Sequence, residues 1–284
     1  MEPPRDVRRY RPRQLPIVEL DNGRILAAER DVETLRELGL DSVEGAVACR
    51  SGEPVRAAGS RRTWRLESAS GVLYLKIHEQ ADWVHRWLGW ARGTRSPGRR
   101  EWDNLRAMRR AWFDVPEMVA VGDAPFGLGR PCPSFLVLRE IPGKQLDQFL
   151  APGWQAAGAL TAAQVRDRVI RDVAGMVRRL HSNGFYHRDL YLSHLIVAED
   201  ERWGRPFLID LQRVDQRFPP RHRWLVKDLA ALAYSAPASI SRADRLRFLL
   251  QYLCKSRLDP LVRRRIAEVE AKVAQMRTHQ PKYP

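Results

Sequence analysis

Asn183-Gly184-Phe185-Tyr186-His187-Arg188-Asp189-Leu190 decides how the rest of the chain is read. Before it, Val165, Val169, Val173, Met176, Val177 and Leu180 recur at helical spacing. That spacing predicts a long amphipathic helix over Ala162–Ser182. Asn183-Gly184 ends the helix. A polar triplet is then presented before an apolar run. A second acid stands in Phe207-Leu208-Ile209-Asp210-Leu211, at the end of an apolar strand expected to form a hairpin with Leu195–Val197. Two carboxylates at strand ends bordering one cleft suit phosphoryl transfer. One orients the hydroxyl to be phosphorylated, and the other holds the metal on ATP. Either acid alone reads as an ordinary turn aspartate.

A lysine upstream gives the pair its meaning. Gly71–His78 is the clearest strand, with Val72, Leu73, Leu75 and Ile77, and Lys76 sits inside it. A lysine there points away from its apolar neighbours, where its ammonium can meet phosphates; the bland alternative is a solvent-facing lysine. A following helix, about Arg99–Ala111, offers Glu101 as its partner. Arg61–Glu67 reads as a polar strand and Val43–Cys49 as a weak one. Gly52 and Gly59 flank the turn between them and could cover phosphates with backbone N–H groups. Met118–Gly122 and Ser134–Arg139 are two further strands. Glu140-Ile141-Pro142-Gly143 ends the first lobe, with Glu140 counted among the nucleotide-contacting residues. Trp224 to about Arg277 reads as helical.

Residues 1–40 are expected to be a leader with one short helix near Val32–Leu38, residues 41–141 a β-rich lobe and 142–284 a mainly helical one. The start is rich in Pro and Arg without the apolar run of a signal peptide. No run reaches the roughly 18 apolar residues that a spanning helix needs. With 284 residues, 44% of them hydrophobic, the chain can bury one large core or two lobes. Cys49, Cys132 and Cys254 are scattered without metal spacing, which suggests a reducing cytosol. The net charge of +15 implies an anionic partner.

In order along the chain, Gly59-Ser60-Arg61-Arg62-Thr63, Tyr74-Leu75-Lys76-Ile77-His78 and Arg100-Glu101-Trp102 are joined by four further segments. These are His187-Arg188-Asp189-Leu190-Tyr191-Leu192-Ser193-His194, Ile209-Asp210-Leu211-Gln212-Arg213, Lys227-Asp228-Leu229-Ala230-Ala231-Leu232 and Arg245-Leu246-Arg247-Phe248-Leu249. The set resembles the lipopolysaccharide kinase (Kdo/WaaP) family, and within it the heptose kinases. The resemblance implies an α+β, protein-kinase-like bilobal fold that binds ATP and Mg²⁺ and phosphorylates a sugar hydroxyl, expected on a heptose of the lipopolysaccharide inner core. It makes Lys76 the ATP-phosphate lysine and Glu101 its helix partner. Asp189 becomes the catalytic acid, with Arg188 beside it. Asp210 becomes the metal ligand, and Asp228 the buried acid that braces the His187-Arg188-Asp189 backbone.

Two departures qualify it. His194 stands where common protein kinases have a metal-binding Asn, so one metal or two remain open, since Mg²⁺ prefers oxygen ligands. Leu211-Gln212-Arg213 replaces Phe-Gly after Asp210, and no long activation loop follows. The expected partner is a lipopolysaccharide core glycan or a related lipid-linked anionic saccharide, with nucleic acid disfavoured. Arg61, Arg62, Arg188, Arg213, Arg217, Arg221 and Arg223 would meet its anions. Trp83, Trp87 and Trp90 share one helical face of a segment that carries Arg86 and Arg92. That face reads either as a peripheral contact with anionic lipid, on the inner face of a bacterial inner membrane, or as core packing. The rival functions are an atypical protein kinase and a non-catalytic, kinase-shaped binding module.

Overall fold

The computed structural model describes residues 16–58, 61–79, 96–124, 133–199 and 205–278. These fall into two compact units, residues 16–112 with 116–140, and residues 113–115 with 141–278.

The first unit begins inside the segment read from sequence as a leader. Asp21, Asn22 and Gly23 all take positive φ (53°, 55° and 81°) and fold Ile17–Leu20 (β1) back on Ile25–Ala28 (β2). An Asp-Asn-Gly turn favours such a hairpin because these residues tolerate left-handed backbone best. Val32–Glu37 (α1) follows, as the sequence predicts. Val43–Cys49, expected as a strand, is instead a short helix, Val43–Ala48 (α2). Its start is fixed twice: Ser42 Oγ accepts from Gly45 N at 3.1 Å, and Asp21 Oδ2 accepts from Val43 N at 2.8 Å. Val43 and Ala46, three apart, are its buried face.

Glu53–Ala58 (β3), Arg61–Ser68 (β4) and Gly71–His78 (β5) come next, then Pro97–Arg110 (α3), Met118–Asp123 (β6) and Ser134–Arg139 (β7). The antiparallel sheet runs β1-β2-β6-β7-β5-β4-β3. β3, read from sequence as a turn, is an edge strand whose register shifts between Pro54 and Arg56, a position where a strand proline is tolerated. Leu73, Leu75 and Ile77 of β5 pack with Leu35, Leu40, Val43 and Ala46. β5 alternates, so Lys76 lies on the other face.

The second unit contains Gly143–Gln145 (β8), Leu146–Leu150 (α4), Ala162–Ser182 (α5), Phe185–Tyr186 (β9), Leu195–Ala198 (β10), Pro206–Leu208 (β11), Asp215–Gln216 (β12), His222–Ser235 (α6), Arg242–Leu253 (α7) and Pro260–Thr278 (α8). α5 occupies its expected bounds. A capping box of Thr161 and Gln164 opens it, and its whole apolar stripe is buried. Small sheets form from β11-β10-β8 and from β12-β9. α5 packs on α7, and α6 on α8. The four helices leave an apolar pocket of about 800 Å³ bordered by Leu150, Val169, Val173, Leu232, Phe248 and Val269. A close-packed interior leaves few voids larger than a water molecule.

Candidate active site

In the first unit, Lys76 Nζ donates to Glu101 Oε1 at 2.6 Å. The Glu101 side chain is 2% exposed, whereas that of Lys76 keeps 22%. A carboxylate buried this deeply needs its cation. Glu101 therefore anchors an ammonium that still reaches solvent. Gly59 lies outside the described residues. Glu140 is turned to its own sheet: Tyr74 donates its hydroxyl to Oε1 at 3.1 Å, and Arg65 Nε stands 3.5 Å away. Burial, and then the charge of Glu140, push the Tyr74 phenol pKa up. The Glu140 carboxylate is thus engaged by side chains of its own sheet.

In the second unit, α5 ends at Asn183, and Gly184 turns the chain at φ 70°. A Cβ there would stand 2.8 Å from Arg217 O, so the turn requires glycine. β9 then pairs with β12 and delivers the chain to His187. Asp228, fully buried on α6, accepts His187 N at 2.8 Å and Arg188 N at 2.7 Å. Arg188 is held at φ 69°, a left-handed conformation that a non-glycine residue keeps only when its surroundings impose it. Its guanidinium stacks on Trp224, 5.0 Å from the ring centroid. The sequence reading placed Arg188 among the catalytic groups; in this structure its guanidinium rests on Trp224 and its backbone N–H on Asp228.

Two ties join the segments that carry the acids. His187 Nε2 donates to Ile209 O at 3.0 Å, and Ile209 N donates to His194 O at 3.0 Å. Complete burial lowers the His187 pKa and keeps the ring neutral, the state this single donor requires. Asp210 follows at φ 56°, the second strained position.

His194 Nδ1 donates to Asp189 O at 2.7 Å. That bond orients the ring and turns Nε2 toward Asp210 Oδ2, 3.6 Å away. Among the described residues, no three His, Cys, Asp or Glu side chains group to hold a metal. Mg²⁺ does not need such a cage, because it is commonly held by one or two carboxylates together with substrate phosphates and water. Asp210 fits that donor set; His194, a nitrogen donor 3.6 Å from it, suits Mg²⁺ less well.

The Asp189 carboxylate is held by two cations. Arg213 Nη1 lies 3.0 Å from Oδ1 and 2.8 Å from Oδ2, and Lys227 Nζ lies 3.5 Å from Oδ1. Burial lowers the Lys227 pKa, against the pull of Asp189. The sequence reading gave Arg213 only a general cationic role and left Lys227 without one. The available signal was that Lys227 immediately precedes Asp228. Of the remaining arginines, Arg217 pairs with Asp215 at 3.0 Å, and Arg217 and Arg223 lie 5.9 Å and 5.7 Å from the Trp224 centroid. Arg221 is exposed and donates its backbone N–H to the Tyr186 hydroxyl. The Trp83–Arg92 segment lies outside the described residues.

A model of the lipopolysaccharide kinase (Kdo/WaaP) family matches residues 47–252. The chain is 32% identical over 222 residues to the lipopolysaccharide core heptose(I) kinase WaaP of Pseudomonas aeruginosa, covering 75% of this chain and 81% of that one. A WaaP of Escherichia coli is 29% identical over 238 residues, 80% of this chain and 88% of that one. A solved structure of WaaP in complex with acyl carrier protein superposes with a TM-score of 0.63 at 26% identity, covering 92% of this chain and 99% of that one.

Proposed function

Because this chain belongs to the lipopolysaccharide kinase (Kdo/WaaP) family, we propose that it transfers the γ-phosphoryl group of ATP to a heptose hydroxyl of the lipopolysaccharide inner core. The observation that carries the reading is the pairing of Asp189 and Asp210, each after a short strand and joined through His187, Ile209 and His194. Phosphoryl transfer passes through a loose transition state, so catalysis consists mostly of positioning and charge stabilisation.

Asp189 accepts the hydrogen bond of the acceptor hydroxyl and aims its oxygen at the γ-phosphorus. It takes the proton as the new O–P bond forms and the bond to the departing ADP breaks. Lys76, fixed by Glu101, contacts the ATP phosphates. Asp210 would be the main ligand of Mg²⁺, with His194 beside it, and the metal would offset the charge on the phosphate oxygens. Asp228 holds the backbone on which Asp189 is mounted. The net charge of +15 supports work at an anionic membrane surface, where a lipid-linked acceptor resides. Among the described residues no helix is long and apolar enough to cross that membrane.

Phosphate from labelled ATP is expected to appear on a dephosphorylated inner-core heptose glycan and not on generic peptides. Asp210→Ala should abolish the Mg²⁺-dependent transfer. Labelling of peptides without glycan would favour an atypical protein kinase instead.

The pocket among α5–α8 supports a partner as well. A relative has been solved in complex with acyl carrier protein, and an apolar pocket of about 800 Å³ suits the fatty chain such a carrier delivers. An acylated carrier protein is expected to raise the melting temperature, and the unacylated form is not. At about 100 times Kd the gain is about 2.7 kcal/mol, which at roughly 2–4 °C per kcal/mol is on the order of 5–10 °C. Ala233→Phe, which narrows the pocket, should reduce the shift. Equal shifts with both forms would refute an acyl-chain site.

A further inference from the structure

Asp189 is not free to receive a hydroxyl in this structure. Arg213 engages both of its oxygens, at 3.0 Å and 2.8 Å. One guanidinium nitrogen, Nη1, bridges both oxygens and occupies the lone pairs facing it. Arg213 nevertheless rests there lightly. Its side chain is 52% exposed, and exposed ion pairs are weak. Lys227 differs: its side chain is 29% exposed and comes from α6, the helix that Asp228 locks to the Asp189 loop. If Arg213 swings away, Lys227 still holds Oδ1 and Oδ2 is released.

The surroundings show what would draw Arg213 away. Arg188, next to Asp189 in sequence, stacks on Trp224, and Arg217 and Arg223 approach the same ring. Trp224 and Lys227 are one helical turn apart on α6. Lys227 on Asp189 thus lies one turn from the cluster of Arg188, Arg217 and Arg223 at Trp224, in which Arg217 is paired with Asp215. An anion settling on that cluster gains Arg213 as a further ligand, because the planar fork binds phosphate or carboxylate equally well.

The geometry points to Arg213 as an acceptor-sensing, specificity-determining residue, an inference that rests on the sugar-kinase reading above. It caps Asp189 while the acceptor is absent. A phosphate or carboxylate on a sugar neighbouring the target hydroxyl draws the guanidinium off Asp189, which then receives the hydroxyl. The substrate class is thus a heptose acceptor that already carries an anionic substituent, and the protein spares neutral sugars by keeping its base occupied.

The test uses the full chain, MgATP and three synthetic heptose acceptors. One is neutral, one bears a phosphate monoester on the adjacent sugar, and one bears a sugar-acid carboxylate there. Wild type is expected to prefer an anionic acceptor by roughly 10–10²-fold in kcat/KM, the size of one to two charge-assisted hydrogen bonds. The phosphate and carboxylate arms show which anion is read. In Arg213→Ala the ratio of anionic to neutral kcat/KM should fall to about one, with much of the change in kcat, since the cap acts on the base. Arg213→Lys, which keeps the charge and loses the planar guanidinium, should retain an intermediate ratio. The proposal is overturned if Arg213→Ala lowers both acceptors by the same factor, as a residue that merely supports Asp189 would. It is also overturned if wild type turns over the neutral acceptor as well as the anionic ones. If wild type phosphorylates none of the three, the sugar-kinase reading fails and this one with it.

Discussion

Asp189→Asn is expected to lower phosphate transfer by roughly 10²–10⁴-fold, the contribution of a positioned acid–base group, and to leave the melting temperature close to wild type. The two halves of the expectation rest on different atoms. Turnover depends on the carboxylate, which alone can take the proton of the acceptor hydroxyl; an amide of the same shape can orient that hydroxyl but cannot remove its proton. The fold depends on the backbone around it. His187 N and Arg188 N are held by Asp228, and Asp189 O is held by His194. None of these bonds involves the Asp189 side chain. The side chain's own pairs, with Arg213 and Lys227, leave both cations in reach of water, 52% and 29% exposed, so losing them costs little stability. Single-turnover transfer and thermal melts on the same preparation separate the two. Near-normal transfer by the folded variant would remove Asp189 from the proton-accepting role.

What the sequence could reveal followed the length and locality of each signal. α5 is long, with a complete apolar stripe, a capping box and a terminating Asn-Gly, and β5 alternates over eight residues; both were bounded correctly. β1, β2 and α2 run only four to six residues, too short for periodicity to speak. β1 and β2 could have been found through Asp21-Asn22-Gly23, and α2 through Ser42 as its cap. β3 was hidden by Pro54, and its exposed Val55 gives no alternation.

The candidate residues of the two units divide in the same way. Lys76, Glu101, Asp189, Asp210 and Asp228 each stand in a short ordered motif. Arg213 and Lys227 reach Asp189 across 24 and 38 residues, and only the fold brings them there. The orientation of the His194 ring depends on a backbone carbonyl five residues away. Its residue type alone could not reveal which nitrogen faces Asp210.

Replacing Asp228 should damage stability where replacing Asp189 does not. Asp228 is fully buried and accepts from His187 N, from Arg188 N and, at 3.3 Å, from His181 Nε2. His181 Nδ1 stands 2.8 Å from the Tyr252 hydroxyl. Burial raises the Tyr252 pKa, so the phenol keeps its proton and donates to that nitrogen. Asp228→Ala would leave two backbone N–H groups and one imidazole N–H without an acceptor, in a place water does not reach. Breaking a buried charged network of this kind costs roughly 3–5 kcal/mol. At roughly 2–4 °C per kcal/mol the melting transition of this unit should fall on the order of 10 °C. Asp228→Asn should fall between, because its amide oxygen can accept from one of the two backbone groups while its NH₂ opposes the other. Transfer should fall as well, measured below the lowered transition, because Arg188 is no longer held in its left-handed conformation and Asp189 moves with it. Binding of ATP should change less than transfer, because Asp228 is fully buried. An Asp228→Ala protein that melts like wild type and loses only Mg²⁺ affinity would instead make Asp228 a metal ligand, and the bracing role assigned to it would be wrong.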